Sequence, residues 1–362
     1  MKVDLAVVGG GPAGAACALA AAELGLTVAL FEPRVGVGDK PCGEGIMPEG
    51  VAVLRRLGLD ALVDDGAAFS AIRFFIADRK ALDVPLRAPG RAYRRPDLQA
   101  AVDARILACS AIRVIRSRAQ PRAAGDGFLV VSDAPPLAAG ALVLADGLSG
   151  GTRALEGEGR EDAGPLARLG VRARFRAGVE PTTAVQVHMG RGSEVYLTPI
   201  GDGIVTAAVL ARGMSAPGKR AAEIFADVLA EHPSASRHLG EMITPCEARV
   251  VGTRTRCALA GGRWFRAGDA GIAVDPIVGC GVTLALESGM LAARAAQAVV
   301  GGVDPRRAAR DYEAEYRRLA TPRSDLARFL RFLSAHDRTA RAAAFVLGRS
   351  PKLLAGLVAM AG

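Results

Sequence analysis

A glycine fingerprint at the start of the chain is the feature that most limits its possible folds. The apolar strand Val3–Val8 leads into a GxGxxG motif, an alanine-rich helical stretch and a second apolar strand. In such a motif Gly9 permits the tight turn, Gly11 lets the backbone approach a phosphate, and Gly14 allows close packing of helix on strand. Glu32 closes the second strand, where its carboxylate can accept hydrogen bonds from ribose hydroxyls. The pattern predicts a βαβ unit that binds a dinucleotide at the N-terminus of its helix.

Two later segments also combine an apolar strand with a turn that contains glycine. The apolar strand Ala141–Leu144 runs into an Ala-Asp-Gly turn at 145–147, and the segment Trp264–Ala270 ends in a Gly-Asp turn. The glycine-rich turn Pro276–Val282 then precedes a predicted helix over Thr283–Val299. This arrangement predicts a second helix N-terminus that faces an anion or a polar ring.

Stretches with alternating strand patterns interrupt these nucleotide-type segments, so the sequence predicts an α/β chain with two interleaved domains. The apolar positions near the C-terminus instead recur at helical spacing. We predict a discontinuous Rossmann-like domain over 1–70, 94–165 and 261–300, a mixed-sheet domain over 71–93 and 166–260, and a C-terminal helical segment over 301–362.

Composition and charge narrow the classes of partner. Aromatic residues make up only 4% of the chain, which is too few for the stacking platforms of single-stranded nucleic-acid binding, so we expect no nucleic-acid partner. The net charge is +9, and residues 305–362 contain twelve Arg or Lys against five Asp or Glu. This basic segment predicts either a solvated helical face or a contact with a membrane surface or a carrier protein.

The cysteines and the apolar runs give two further expectations. The six cysteines include no CxxC pair, which predicts no metal site and fits a reducing cytoplasm. No apolar run reaches the ~18 residues of a spanning helix, and the apolar start leads straight into the glycine motif. We therefore expect a cytoplasmic protein that is at most peripheral to a membrane.

The three motifs together resemble those of the flavoprotein monooxygenases and oxidoreductases of the para-hydroxybenzoate hydroxylase type, which include aromatic hydroxylases, flavin-dependent halogenases and geranylgeranyl reductases. The resemblance covers roughly residues 1–300, with GxGxxG, Asp-Gly and Gly-Asp in the family's order. It implies a glutathione-reductase-type FAD-binding domain interrupted by a substrate domain. It also implies tightly but non-covalently bound FAD and a transient NAD(P)H donor.

The resemblance carries cofactor roles onto matching positions. Arg95 stands for the family's arginine before a helix, with Arg94 as an alternative, and Cys42 is either close to the cofactor or a small buried thiol. The implied cofactor-binding residues are Gly9, Gly11, Pro12, Ala13, Gly14, Glu32, Pro33, Arg34, Cys42, Gly43, Arg95, Asp146, Asp269, Pro276, Gly279, Gly281 and Val282. No acid or base is identified, but His188 and Tyr196 are candidate substrate-pocket residues, with packing on the sheet as the alternative for both.

The family resemblance leaves three functions open. We expect an NAD(P)H-dependent monooxygenase that hydroxylates or epoxidises an aromatic, quinone-like or polyketide-type molecule of secondary metabolism through a flavin hydroperoxide. The alternative is a reductase of C=C bonds in a prenyl substrate, which the loss of the family's aromatic pattern in Glu194–Pro199 disfavours. A non-catalytic flavin-binding protein is the third. Halogenation is disfavoured because the chain lacks a WxWxIP motif.

Overall fold

The computed structural model describes residues 2–34, 39, 41–148, 168–179, 182–190, 192–211, 219–253, 257–350, 352–353 and 356–357. The boundary predicted near residue 165 lies outside these ranges. The strands in the described ranges are β1 (Lys2–Val8), β2 (Val28–Phe31), β3 (Gly45–Ile46), β4 (Ala67–Ile76), β5 (Arg79–Ala92), β6 (Ile112–Ile115), β7 (Gln120–Ala124), β8 (Gly127–Val131), β9 (Leu137–Leu144), β10 (Arg168–Ala177), β11 (Ala184–Gly190), β12 (Ser193–Pro199), β13 (Ile204–Ala211), β14 (Leu239–Met242), β15 (Glu247–Val251), β16 (Ala260–Gly261) and β17 (Trp264–Arg266). The helices are α1 (Pro12–Glu23), α2 (Pro48–Arg56), α3 (Asp60–Asp65), α4 (Arg95–Leu107), α5 (Ala221–Glu231), α6 (Pro233–Ser236), α7 (Gly281–Val300), α8 (Pro305–Ala335) and α9 (Asp337–Arg349).

The first sheet has a parallel centre in the order β17-β9-β1-β2-β6, with β16 on one edge and the β7–β8 hairpin joined to β9. Strand β1 pairs with β2 from Leu5 opposite Val28, and with β9 from Lys2 opposite Ala138. The central strands are buried on both faces, because α1 and α7 cover one face and side chains of β8, including Phe128 and Val130, pack on the other. This is the α/β architecture that the glycine fingerprint predicts.

The second sheet is mixed, in the order β14-β10-β13-β12-β11-β4-β5-β3, with β15 also paired to β10. It extends further towards the N-terminus than the predicted boundary at residue 70, because β4 begins at Ala67 and Gly45–Ile46 pairs with β5. The sequence shows neither feature: a two-residue strand is too short for visible alternation, and a register shift between Phe69 and Ala71 breaks the period of β4.

The C-terminal helices pack against both sheets. Helix α8 packs on α7 and on the first sheet, and α9 lies against β5 of the second sheet. One apolar cluster therefore joins Leu326 and Leu333 of α8, Ala340 and Ala344 of α9, and Val187 of the second sheet. None of the helices in the described part of the chain combines the length and apolar character that crossing a bilayer requires.

Candidate active site

A cavity of about 1110 Å³ runs from the first glycine turn to the C-terminal helices, between the two sheets. All the residues implied as cofactor-binding line its wall except Gly14, which lies behind it in the packing of helix on strand. Three distant segments of the chain therefore meet on one surface. The wall also includes many aliphatic side chains of the second sheet and of α8 and α9.

The first glycine turn is built as its motif predicts. Gly9 has φ +103°, and a Cβ there would lie 2.4 Å from the carbonyl oxygen of Ala145. A Cβ on Gly14 would lie 1.8 Å from the carbonyl oxygen of Gly9, so only glycine allows this helix to approach the strand. Helix α1 then begins at Pro12, whose missing N–H costs nothing in the first helical turn. The remaining free N–H groups of this turn point towards the cavity end of the sheet.

Glu32 is held by hydrogen bonds at the end of β2. Its carboxylate accepts hydrogen bonds from the Gly10 amide (2.8 Å), the Arg34 amide (3.0 Å) and the Arg34 guanidinium (2.8 and 2.7 Å). Burial alone would raise the pKa of Glu32, but these hydrogen bonds outweigh it and lower the pKa to about 2. Glu32 is therefore an anion at neutral pH. The half-exposed Arg34 side chain must turn aside for ribose hydroxyls to reach it.

Helix α4 joins the glycine turn to the loop that contains Cys42. Gln99 of α4 donates a hydrogen bond to the Gly10 carbonyl (3.1 Å) and accepts one from the Arg95 guanidinium (3.1 Å). The Arg95 amide donates to the Glu44 carboxylate (2.8 Å). Burial raises the pKa of the Cys42 thiol, so the thiol is uncharged at neutral pH, and its sulfur accepts a hydrogen bond from the Glu44 amide (3.3 Å).

Glu44 holds this loop against the second sheet, and the sequence analysis missed it. The residue is 3% exposed and has φ +62°. Its carboxylate accepts hydrogen bonds from both Arg174, with Nε 3.1 Å away, and Thr206. These partners are more than a hundred residues away in sequence, so no local pattern could have identified them.

Two tyrosines of α8 hold the Gly-Asp turn at 268–270, and they too were missed. The Tyr316 hydroxyl donates to the Gly268 carbonyl (2.8 Å) and accepts from the Ile272 amide (3.2 Å), while Tyr312 donates to the Arg266 carbonyl. The turn presents Asp269 to the cavity. The only sequence signal was the spacing of four between the tyrosines, which places them on one face of a helix.

The turn before α7 forms the part of the wall predicted to lie under a flavin ring. Asp275 caps the short 3-10 helix Pro276–Val278 by accepting a hydrogen bond from the Ile277 amide (3.0 Å). Gly279 follows with φ +72°, and α7 begins at Gly281. Backbone N–H groups at this helix start are oriented to stabilise negative charge in the cavity.

A buried ion network fixes Asp275. Its carboxylate lies 3.4 Å from Arg168 and 3.3 Å from Arg331 of α8. Arg168 also pairs with Glu194, which accepts a hydrogen bond from Ser334. Burial raises the pKa of Glu194, although Arg168 and Ser334 oppose this shift. Helix α8, through Arg331 and Ser334, therefore helps to position the turn before α7.

Of the two candidate pocket residues, only Tyr196 lies on the cavity wall. Its hydroxyl is buried and has no hydrogen-bond partner among the described residues. Burial, with the charge of Glu194 adding, raises the pKa of Tyr196 well above its ordinary value. The phenol is therefore protonated at neutral pH; the residue lines the cavity, while its hydroxyl is a sealed and unpaired donor behind the wall.

The prediction for His188 as a pocket residue was wrong. Val187 and Met189 of β11 line the cavity, so by alternation His188 points to the opposite face of the sheet. There its ring stacks on Phe75, with centroids 4.2 Å apart, and its Nδ1 lies 2.8 Å from the Ser234 hydroxyl. Sequence alternation separates the two faces, but only packing shows which one meets the cavity.

We expect His188→Gln to reduce the fall in the free energy of unfolding between neutral pH and mild acid. Burial, with nearby His232 and His238 adding, lowers the pKa of His188 to about 3, below its ordinary value of 6.5. The unfolded chain therefore binds a proton below pH 6.5 that the folded chain does not, and stability falls as the pH falls. Between pH 7 and pH 5 the wild type should lose roughly 2 kcal/mol more than the variant in urea unfolding. Parallel pH curves would contradict this environment for His188.

The cavity wall fits a dinucleotide flavin. Five glycines on it, namely Gly11, Gly43, Gly147, Gly279 and Gly281, border open space, because a Cβ built on any of them meets no other atom within 4 Å. Backbone amides can therefore approach a pyrophosphate and a ring system closely. Within the described ranges no cluster of three or more His, Cys, Asp or Glu side chains could hold a metal ion. The fold and the site define a class by likeness: the chain has the fold of the FAD-dependent oxidoreductases of the para-hydroxybenzoate hydroxylase type, and its cavity wall fits their flavin.

Comparisons with known proteins agree with this class. Residues 4–152 match the family model of glucose inhibited division protein A. Proteins named menaquinone reductase from Mycolicibacterium smegmatis and Mycobacterium tuberculosis are each 28% identical to this chain, over 81% of it and 76% of their own length.

Solved structures share the fold. The flavin-dependent brominase Bmp2 superposes with a TM-score of 0.85 at 18% identity, over 100% of this chain and 93% of its own. A geranylgeranyl bacteriochlorophyll reductase-like protein from Thermoplasma acidophilum gives 0.79 at 18% identity, over 99% and 96%. PqsL from Pseudomonas aeruginosa, a probable FAD-dependent monooxygenase, gives 0.79 at 17% identity, over 95% and 100%.

Proposed function

We propose that this chain is an FAD-dependent reductase that saturates a C=C bond in a long isoprenoid-type lipid, such as the side chain of a quinone. The observation that supports this most strongly is the apolar half of the cavity. Its wall there consists of Phe74, Ile76, Leu82, Val84, Leu86, Val187, Met189, Leu330, Leu333, Ala340, Ala344 and Leu347. Such a wall favours an aliphatic chain, since each buried CH₂ group contributes about 0.8 kcal/mol to binding.

The relatives support the same substrate class. Both are named menaquinone reductase, and menaquinone joins a quinone ring to an isoprenoid chain. The proposal therefore favours the reductase alternative over the monooxygenase that the sequence analysis expected. The sequence analysis disfavours the reductase because the family's aromatic pattern is altered in Glu194–Pro199. In the structure Tyr196 and Thr198 of that strand line the cavity, so the strand still forms part of its wall.

The side chains of this chain would bind and orient the substrate. Reduced FAD, when bound, supplies the hydride, and a nicotinamide nucleotide is the proposed electron donor. The apolar wall would exclude water from the reacting carbons. On substrate binding the Tyr196 side chain would turn so that its hydroxyl, which is buried and unpaired without substrate, donates a hydrogen bond to a carbonyl of the quinone ring and orients the substrate.

We expect Tyr196→Phe to impair catalysis without weakening the fold. The wild-type hydroxyl is buried without a partner, so its removal should leave the stability of the protein unchanged or slightly higher. Loss of one hydrogen bond to the substrate should lower kcat/KM by roughly 5- to 30-fold, which is about 1–2 kcal/mol. Steady-state kinetics with a polyprenyl quinone in detergent measure this. A variant with wild-type kcat/KM would contradict the role of Tyr196.

Monooxygenation is the second candidate, because PqsL, which shares the fold, is a probable FAD-dependent monooxygenase. Oxygen dependence separates the two reactions. The protein is incubated anaerobically with an unsaturated polyprenyl quinone and either NADH, NADPH or dithionite, and in parallel under labelled dioxygen. A mass gain of two hydrogens that forms without oxygen, requires the protein and persists after the ring has been reoxidised to the quinone supports the reductase. Turnover that requires dioxygen and incorporates the label supports the monooxygenase, and no product with any donor supports a non-catalytic flavin-binding protein.

A further inference from the structure

The outer surface of α9 and of the end of α8 exposes large apolar side chains to solvent. Phe345 is 60% exposed, Val346 53%, Phe332 51% and Leu353 54%. Large apolar side chains are normally shielded from water, and here four are exposed between residues 332 and 353, on α8, on α9 and just after α9.

Basic side chains surround these apolar ones. Arg338, Arg341 and Arg349 are exposed and recur at helical spacing with Phe345, so they share the outer face of α9. Lys352 is also exposed. The Arg349 guanidinium lies 3.5 Å from the centroid of the Phe345 ring. The outer face of α9 therefore has cationic and apolar side chains next to each other.

The inner face of the same helix forms part of the cavity. Ala340, Ala344 and Leu347 of α9 line it, and the small residues let the helix lie close to β5. Phe329 of α8 also lines the cavity and is 39% exposed, so the cavity wall reaches the protein surface beside the exposed aromatic residues. Helix α9 thus has one face towards the cavity and one towards solvent, and Phe329 of α8 lies at the edge of the cavity.

We propose that the outer face of α8 and α9 docks on the surface of an anionic lipid bilayer. The docking patch comprises Phe332, Arg338, Arg341, Phe345, Val346, Arg349, Lys352 and Leu353. Its apolar side chains would enter the boundary between headgroups and acyl chains, while the arginines extend to the lipid phosphates. Positive charge on the patch complements the negative charge of the bilayer.

Continuity with the cavity favours a bilayer over a protein partner. A lipid that leaves the membrane at the patch could enter the apolar cavity past Phe329 without crossing water. In this respect the inference rests on the proposed function. Docking itself requires no turnover, so it can be tested separately.

The test is sedimentation with vesicles. Wild-type protein should co-sediment with vesicles of phosphatidylcholine and phosphatidylglycerol, should bind pure phosphatidylcholine much more weakly, and should be released by salt. The variant R338Q/R341Q/R349Q should bind the anionic vesicles roughly 100-fold more weakly. The matched control R306Q/R307Q/R310Q removes three exposed arginines from the other end of α8 and should bind like the wild type.

Fluorescence gives a second readout. Trp264 is the single tryptophan of the chain and is buried, so a tryptophan introduced by Phe345→Trp reports on the patch. Its emission should shift to shorter wavelength when anionic vesicles are added.

Several results would overturn the docking proposal: no vesicle binding by the wild type, equal loss in both triple variants, or binding to an acidic carrier protein but not to vesicles. The failure of the proposed function looks different. A protein that docks on vesicles but reduces no polyprenyl chain contradicts only the function, whereas one that reduces a detergent-dissolved quinone but ignores vesicles contradicts only the docking.

Discussion

Replacing Gly11 with valine is expected to leave the apoprotein folded but unable to retain FAD. Gly11 has φ −70° and ψ −178°, a conformation that valine adopts readily, and a Cβ there meets no atom within 4 Å. The apoprotein should therefore lose no more than about 1 kcal/mol, which is the usual cost of a poorer helix N-cap. The same open space is where the fold brings the pyrophosphate, so the valine methyl groups should weaken FAD binding by roughly 100-fold.

Gly14→Ala is the matched comparison within the same motif. Its Cβ would lie 1.8 Å from the Gly9 carbonyl oxygen, so α1 would have to move away from the strand. Here the apoprotein itself should lose stability, by about 3 kcal/mol or more. Flavin absorbance after purification and thermal unfolding of the apoproteins measure both effects. Full flavin content in Gly11→Val would contradict the cofactor site, and an unchanged melting temperature in Gly14→Ala would contradict the packing of α1.

The second large effect is expected for Glu44→Gln. The substitution keeps the size of the side chain but removes the buried negative charge that pairs with Arg174 and accepts hydrogen bonds from Thr206 and the Arg95 amide. Arg174 would keep only Asp39, 3.0 Å away and partly exposed, as an anionic partner. We expect a loss of about 3–5 kcal/mol in the free energy of unfolding. Flavin should also be lost, because the loop of Cys42 and Gly43 is no longer held beside the cavity.

Glu247→Gln is the control for this experiment. Glu247 pairs with the buried Arg172 of the same sheet at 2.6 Å, but its own side chain is 39% exposed, and Arg172 also pairs with Asp39 at 2.7 Å. Because Arg172 keeps Asp39 and the substituted side chain stays partly in water, the loss should be about 1 kcal/mol or less. Denaturant unfolding of both variants compares the same chemical change at a buried and a half-exposed position. Equal stability of the two variants would show that Glu44 does not hold the loop of Cys42 against the second sheet.

The sequence motifs identified residues that line one side of the cavity, because short motifs specify the local geometry there. Gly9 and Gly14 each meet a backbone requirement that only glycine satisfies, Gly11 leaves space beside the turn, and the turn before α7 is likewise formed by neighbouring residues. Their spacing with Glu32 follows from the geometry of one βαβ unit. The roles of the implied residues in binding FAD remain predictions, which the Gly11→Val experiment tests at one position.

The groups that hold these motifs in place were not predictable in this way. Glu44 and Arg174 are 130 residues apart, and Tyr316 meets Gly268 across 48 residues. Contacts of this kind depend on how the second sheet and α8 pack on the first sheet. His188 illustrates the same limit, since alternation placed it opposite Val187 and Met189 but could not say which of the two faces borders the cavity.

The sequence by itself determined the dinucleotide-binding unit and the α/β class, because both depend on interactions within a few turns of the chain. Only the tertiary structure decided which face of the second sheet lines the cavity, which buried charges hold the loop of Cys42, and how far α8 and α9 extend the apolar wall. The physical reason is that these features arise from burial between elements distant in sequence, where the partner of a side chain depends on packing and not on spacing.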